Sequence, residues 1–238
     1  MKSLPGLVAS KSSEIRRLGS YEDVALEYYN PDLHPTCADF RVASRLFLES
    51  FFGEHKPTGR IADVGCGLSI VRDFVDRNLV LIDSSAQMLA KNLGSVEKRL
   101  LNVEEQSFGD AEFDWVFAIL ADPFNSIAVW RNIRSALKDG GRCIFVVPSY
   151  RWALNFRAHS SDERKGFACF RKADNSFVYL RSTILSPADQ VELIEFAGLR
   201  FVNAVHVLMG ELPEIKSPKI SDALSKDQPL LDVYQAEK

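Results

Sequence analysis

"IADVGCGLSI", Ile61 to Ile70, is an apolar run that breaks into Gly65 and Gly67 with an acid, Asp63, just ahead of them. A buried strand that runs into a glycine turn is how open α/β sheets present backbone N–H groups to a ligand. The next residues exclude two common ligands. The dinucleotide fingerprint asks for a third glycine three positions after the second, and Ile70 stands there. The phosphate loop closed by Gly-Lys-Ser/Thr has no counterpart either. Asp63 agrees with both exclusions, because a carboxylate beside the turn repels phosphate and suits a ligand that carries positive charge.

Outward from this turn, strands and helices alternate. "RIADVG" reads as a buried strand and "SIVRDFVDRN" as a helix; "LVLID" is a second strand and "SAQMLAKNL" a second helix. "RLLNV" is a weak third strand and "EFDWVFAIL" a strong fourth one. "SIAVWRNIRSALKDGG" has Ile127, Trp130, Ile133 and Leu137 on one helical face and a glycine stop, and "RCIFVVP" is a fifth strand. Repeated βα units with near-continuous apolar strands predict a parallel sheet covered on both faces. Upstream, Thr36 and Asp39 have capping-box spacing, so a helix is expected from about Cys37, with Phe40, Ala43, Phe47 and Phe51 on one face and an end at Gly53. Downstream, residues 151–181 read as a loop and then a hairpin, "FACFRK" and "SFVYLRS" around "ADN". Ser186 caps a helix with Pro187 at its first position, "LRFVNAVHVL" is a strand, a short helix starts at Ser217, and Leu230 to Ala236 is a closing strand.

The bulk numbers bound the class. A chain of 238 residues, 46% hydrophobic and 26% charged, suffices for one good core. The net charge of −3 makes no global case for nucleic acid. Pro5 and Gly6 interrupt the apolar residues near the start, and no run approaches the ~18 apolar residues of a membrane helix. Residues 1–20 are polar and basic, and partial disorder is expected there. Cys37, Cys66, Cys143 and Cys169 match no metal spacing and no disulfide framework, so reduced thiols, a cytoplasmic location and no metal are expected.

One ligand suits the acid beside the turn. S-adenosylmethionine carries an ammonium and a sulfonium, while its own carboxylate fits a helix N-terminus. Asp83, twenty residues after Asp63 and at the end of the next strand, stands where an acid accepts ribose hydroxyls. With "DVGCG", "LIDSSAQML", "LNVEE", "FDWVFAIL" and "LKDGGRCIFVVP" in this order, the chain resembles the class I, Rossmann-like S-adenosylmethionine-dependent methyltransferases. "LRFVNAVHV" and the strand ending "YQAEK" look like that family's sixth and antiparallel seventh strands. The resemblance implies an α/β, doubly wound, mostly parallel seven-stranded sheet with an antiparallel last strand and helices on both faces. It also implies roles. Asp63 orients the methionine ammonium, and Gly65, Cys66 and Gly67 bring backbone up to the methionine part. Asp83 takes the ribose hydroxyls, and Ser84 and Met88 lie near the adenine. Asn102 and Val103 replace the family's Asp-apolar pair at the adenine, and Leu120 at the end of the fourth strand completes the cofactor set. Asn102 departs from the usual acid, and Ser69 from the frequent third glycine. The chain is then read as one domain: an arm or lid over 1–36, the cofactor core over 37–148, an insertion over the substrate site at 149–185, and the closing helix and strands over 186–238.

Three regions are expected to wall the acceptor site. "EYYNPDLHPT" offers Tyr28 and Tyr29 to the substrate and His34 as a catalytic candidate. "ADPFN", directly after the fourth strand, offers Asp122 and Phe124 to the substrate and Asn125 to catalysis, although Asn125 equally suits the cap of the next helix. The insertion carries Arg151, Arg157, Arg164, Lys165, Arg171, Lys172 and Arg181 against Asp162, Glu163 and Asp174, with aromatic residues interleaved. A basic, aromatic flap fits an anionic small molecule or stacked bases. The expected activity is therefore methyl transfer to a small molecule, with S-adenosylhomocysteine as the product. A nucleobase of RNA or DNA and a non-catalytic cofactor-binding module are the alternatives.

Overall fold

The glycine turn grows out of the centre of the sheet. In the computed structural model, which describes residues 19–75, 77–157 and 166–238, β1 (Ile61–Val64) and β2 (Leu79–Asp83) are buried at every residue. Strands covered on both faces have no wet side. β3 (Glu97–Leu100), β4 (Phe113–Ile119) and β5 (Leu137–Pro148) continue the parallel set. A separate hairpin pairs β6 (Phe167–Arg171) with β7 (Phe177–Arg181). β8 (Arg200–Leu208) and β9 (Pro229–Glu237) complete a seven-stranded sheet of order β3-β2-β1-β4-β5-β9-β8. β9 is antiparallel to both of its neighbours, so the apolar closing segment of the sequence is a central strand of its half-sheet. The strand order reverses between β1 and β4, and ligands of open α/β sheets bind beyond the strand ends at such a switch.

Helices cover both faces. α2 (Pro35–Glu54), α5 (Tyr150–Arg157) and α7 (Pro218–Ser221) share one core with Leu81, Phe117 and Val233. α4 (Ile127–Ala136) and α6 (Pro187–Phe196) pack over Val80, Val116 and Phe145 on the other. Two short helices, α1 (Tyr21–Val24) and α3 (Ala86–Ala90), lie beside the carboxyl end of β2. No helix among the described residues is long and apolar enough to cross a membrane. All four cysteines are free.

Several local expectations are corrected, each by a tertiary contact. α2 begins at Pro35 with His34 as its N-cap. The Thr36 hydroxyl lies 2.6 Å from that of Ser217, and Asp39 accepts the Lys216 and Ser217 N–H groups, so neither serves a capping box. The helix also runs through Gly53 to Glu54. The helix expected after β1 is only a 3-10 turn, Val71–Asp73. Its side chains are taken by α2: Asp73 pairs with Arg45 at 2.5 Å and Phe74 stacks on Phe52. α4 stops at Ala136, and Leu137 opens β5, which passes through Gly140 and Gly141 as a bulge rather than a helix stop. β3 sits upstream of the expected "RLLNV", which leaves Asn102 and Val103 in the loop beyond it. Residues 150–157 are helical, and Trp152 packs edge-on against Phe40 in the core, so this part of the insertion is not a flap. The N-terminal disorder expected before residue 19, and the charges of Asp162, Glu163, Arg164 and Lys165, fall outside the described residues.

Candidate cofactor and acceptor site

Gly65 and Gly67 both adopt positive φ, +64° and +51°. A Cβ on Gly65 would come within 2.3 Å of the Phe124 ring, and one on Gly67 within 2.3 Å of the Tyr29 hydroxyl. Backbone strain and close approach both demand glycine here. The turn is also fastened from outside. The Gly67 N–H donates to Asp83 Oδ2 at 2.8 Å, Leu68 N–H to the Tyr29 hydroxyl at 2.5 Å, and Ser69 N–H to Asn92 Oδ1 at 3.0 Å. Asn92 Nδ2 returns a bond to Gly67 O, and Arg41 Nη2 reaches Leu68 O at 2.9 Å. Asn92 and Arg41 escaped the sequence reading, since nothing in their local pattern relates them to a turn over twenty residues away.

Beyond this turn lies a cavity of about 270 Å³. Gly65, Cys66 and Gly67 line it together with Asp83, Ser84 and Met88 from the end of β2 and the start of α3. Asn102 and Val103 line the next wall and Leu120 the one beside it. Leu120 has a φ of +57°, a left-handed backbone uncommon outside glycine and a recurrent mark of functional sites. Every cofactor candidate except Asp63 thus meets in one cavity. Asp63 lies buried beneath the turn: its Oδ2 accepts the Ser69 hydroxyl at 2.6 Å, and its Oδ1 has no partner among the described residues. Burial pushes its carboxyl up to about 7 against the pull of the Ser69 bond. Burial likewise raises Asp83, although the Ser85 and Gly67 N–H groups hold it down in part. The Asn102 carbonyl accepts the Glu104 N–H at 3.0 Å and keeps a second lone pair for a ligand.

The acceptor candidates divide. Tyr28, Tyr29 and Phe124 line the cavity, while His34, Asp122 and Asn125 do not. Asn125 is spent in a buried knot: its amide donates to Gln190 Oε1 at 2.6 Å and its carbonyl accepts the Trp130 indole N–H at 3.0 Å. Both ends of the Asn125 amide are thus engaged within the core, away from the cavity lining. His34 caps α2 edge-on to Phe170, with its Nε2 buried and unpartnered among the described residues, and it too stands away from the cavity. Burial lowers its pKa. Asp122 is buried behind the wall, where the Ser182 hydroxyl bonds it and Arg157 faces it; burial still pushes it up to about 6. The basic insertion is likewise redistributed. Arg171 bonds Asn175 on its own hairpin, and Arg181, which does line the cavity, pairs with Glu104 at 2.7 Å.

Two elements roof the cavity. The arm carries Tyr21, Tyr28 and Tyr29, and Glu22 in α1 accepts bonds from the Ser85 hydroxyl and the Gln87 N–H at the start of α3. The hairpin brings Leu180 and Arg181. Gly19 N–H to Tyr179 O, at 3.0 Å, and Ala173 N–H to Glu27 Oε2, at 2.8 Å, join the two.

An adenosyl sulfonium with an amino-acid end fits these residues. The buried oxygen of Asp63 lacks a partner among the described residues and calls for a positive group, Asp83 ends β2, and the glycines leave room for a ligand against bare backbone. Residues 62–145 match a family model described as a methyltransferase domain. No curated protein matches in sequence. Among solved structures, a complex of DhpI with SAM and HEP is 21% identical, with 92% of this chain and 94% of that one covered and a TM-score of 0.63. The 1,6-didemethyltoxoflavin-N1-methyltransferase of Burkholderia thailandensis, with bound 1,6-didemethyltoxoflavin and S-adenosylhomocysteine, is 18% identical over 91% of this chain and 85% of its own, at a TM-score of 0.51. A putative methyltransferase, in complex with the Haloferax volcanii Trm112 methyltransferase activator, is 14% identical over 91% and 96%, at 0.61. At these identities the likeness is one of fold, and it is the Rossmann-like methyltransferase fold. Residues 62–145 thus carry a methyltransferase domain within that fold, an enzyme domain whose cofactor is S-adenosylmethionine.

Proposed function

We propose that this enzyme, in the cytoplasm, transfers the methyl group of S-adenosylmethionine to a small-molecule acceptor. The observation that supports a small acceptor is the size and cover of the site: among the described residues the arm and the hairpin join over a cavity of about 270 Å³. Among the described residues of the insertion, Arg181 is the arginine that lines the cavity, and its pairing with Glu104 weakens the case for a phosphate-rich polymer.

In this reading Asp63 holds the methionine ammonium, directly or through water. Gly65, Cys66 and Gly67 offer backbone to the methionine part, and Asp83 accepts the ribose hydroxyls. Ser84, Met88, Asn102, Val103 and Leu120 enclose the adenine end. Tyr28, Tyr29 and Phe124 face the acceptor. The bound cofactor supplies an already activated methyl group, so the protein's work is to position the acceptor and exclude water. The Tyr29 hydroxyl closes the glycine turn, and the Phe124 ring lies against Gly65, so acceptor wall and cofactor cradle share atoms in contact.

The test is label transfer. The full chain is incubated with methyl-labelled S-adenosylmethionine and, separately, with a small-metabolite extract, tRNA and single-stranded DNA. Label in the low-mass fraction is expected. Label in nucleic acid, with a steep salt dependence, would replace this reading with the nucleobase one.

A further inference from the structure

Tyr21, absent from the sequence-based candidates, lines the cavity from α1. Its ring meets the edge of Tyr28 at 5.6 Å, and Tyr28 in turn meets Tyr29 at 4.9 Å and stacks on Phe170 at 5.8 Å. The Tyr28 hydroxyl is occupied by the Cys37 thiol and that of Tyr29 by the Leu68 N–H. The Tyr21 hydroxyl is different: no described residue hydrogen-bonds to it. Burial and the nearby carboxylates of Asp122 and Asp83 hold its proton on, well above the usual phenol range. It is therefore an O–H donor that no described group satisfies, on the rim between the cofactor's acid and the residues after β4.

The charge of the lining narrows what can sit there. Arg41 is used by Leu68 O, Arg181 and Glu104 neutralise each other, and Asp83 accepts two backbone N–H groups. Asp122, behind the wall, is matched by Ser182 and Arg157. Among the described lining residues two cations, Arg41 and Arg181, stand against two carboxylates, Asp83 and Glu104, so the wall offers an anion no net attraction. A protonated amine has no lone pair to attack a methyl group. What remains on the acceptor side among the described residues is aromatic surface from Tyr21, Tyr28, Tyr29 and Phe124, with the Tyr21 hydroxyl as a donor set among the rings.

Resting on the methyl-transfer reading above, we propose that the acceptor is a flat, uncharged heteroaromatic molecule. It seats its ring among Tyr21, Tyr28 and Phe124 and presents a carbonyl or ring nitrogen to the Tyr21 hydroxyl. Face and edge contacts between rings provide the seat, and the phenol O–H sets the ring's rotation. This replaces the anionic acceptor that the basic insertion suggests, because in the folded chain Arg157, Arg171 and Arg181 turn to partners of their own.

The test uses the full chain and defined probes. S-adenosylhomocysteine is first titrated by calorimetry; the loaded protein is then titrated by NMR with 4-quinolone and with quinoline-4-carboxylate. The uncharged ring is expected to bind and the carboxylate to bind about tenfold more weakly or worse, since burying an unpaired charge is costly. Tyr21→Phe keeps the ring and removes the donor. It is expected to weaken 4-quinolone about fivefold, the worth of one neutral hydrogen bond, with S-adenosylhomocysteine affinity unchanged. A carboxylate that binds as well as the quinolone, a Tyr21→Phe variant that binds it normally, or loaded protein that takes neither ring would overturn the proposal. Failure to bind S-adenosylhomocysteine at all would instead bring down the methyl-transfer reading beneath it.

Discussion

The two walls of the cavity are built in different ways. The wall proposed for the cofactor comes from residues close to one another in the chain: the turn at 63–69, the strand end at 83–88, and the loop at 102–103. Backbone groups do most of its work, and few side-chain types are tolerated, because Gly65 and Gly67 have positive φ and a close neighbour each. The wall proposed for the acceptor draws Tyr21 and Tyr29 from the arm, Phe124 from beyond β4 and Leu180 from the hairpin. Side chains make it, and it is held by contacts between segments such as Gly19 to Tyr179. A wall of backbone keeps one ligand, whereas a wall of side chains on appended segments can change its ligand without disturbing the sheet.

The largest effect should come from breaking the cofactor wall. Asp83→Ala removes both the expected ribose contacts and the acceptor of the Gly67 N–H, and S-adenosylmethionine affinity should fall about a hundredfold by calorimetry, from charged hydrogen bonds worth about 1.5–3 kcal/mol each. Unchanged affinity would mean that the cavity is not the cofactor site. Asn125 supplies the contrast, since it stands next to the acceptor wall but works in the core. Asn125→Ala strands the Trp130 indole N–H and the Gln190 amide, which should cost about 2–4 kcal/mol and lower the melting temperature by several degrees. Turnover per folded molecule should hold. A collapse of turnover at unchanged stability would restore Asn125 to catalysis.

The same division explains what could be read from the sequence. β1, β2, β4 and β9 were legible because strands covered on both faces read as near-continuous apolar runs, whatever surrounds them. Gly65, Gly67 and Asp83 were legible as residues of one cavity because their pattern is local, a strand end that runs into a turn. The helix expected after β1 was not, because Asp73 and Phe74 are claimed by Arg45 and Phe52 of α2, and no local pattern announces such partners. Tyr21 and Arg181 were passed over as binding residues for a related reason. A tyrosine in a polar segment and an arginine in a basic hairpin acquire a direction only when the arm and the hairpin fold onto the sheet.

A smaller, graded effect tests Asp63 within the cofactor wall. Without ligand its carboxyl is raised to about 7, against about 4 in an unfolded chain. The folded apo-protein therefore holds the extra proton between these values, and this stabilisation is full below about 4 and lost as pH rises through 7. The methionine ammonium has the opposite preference, since it favours the carboxylate. S-adenosylmethionine affinity should accordingly be flat above pH 7 and fall below it, by up to about tenfold per pH unit for a single coupled proton. Asp83, also raised, acts in the same direction. The slope should disappear in part in Asp63→Asn; a flat profile in the unmodified enzyme would remove Asp63 from the ammonium site.

The smallest effect belongs to the clasp between the walls. Arg181, on the hairpin, reaches Glu104, which follows the adenine-side loop, at 2.7 Å, with more than half of the arginine side chain exposed. Exposed ion pairs contribute about 0.2–1 kcal/mol, so Arg181→Ala should leave the melting temperature almost where it was. The kinetic consequence should be larger than the thermodynamic one. The pair spans the side of the cavity where Asn102 and Val103 stand, and a ligand leaving past them must part it. Stopped-flow dissociation of S-adenosylhomocysteine should speed up about two- to fivefold in the variant, in line with an ion pair of this worth. Added salt should narrow the difference, because it screens an exposed pair. An off-rate unaffected by either change would show that the hairpin roofs the acceptor wall alone, and that the two walls open independently.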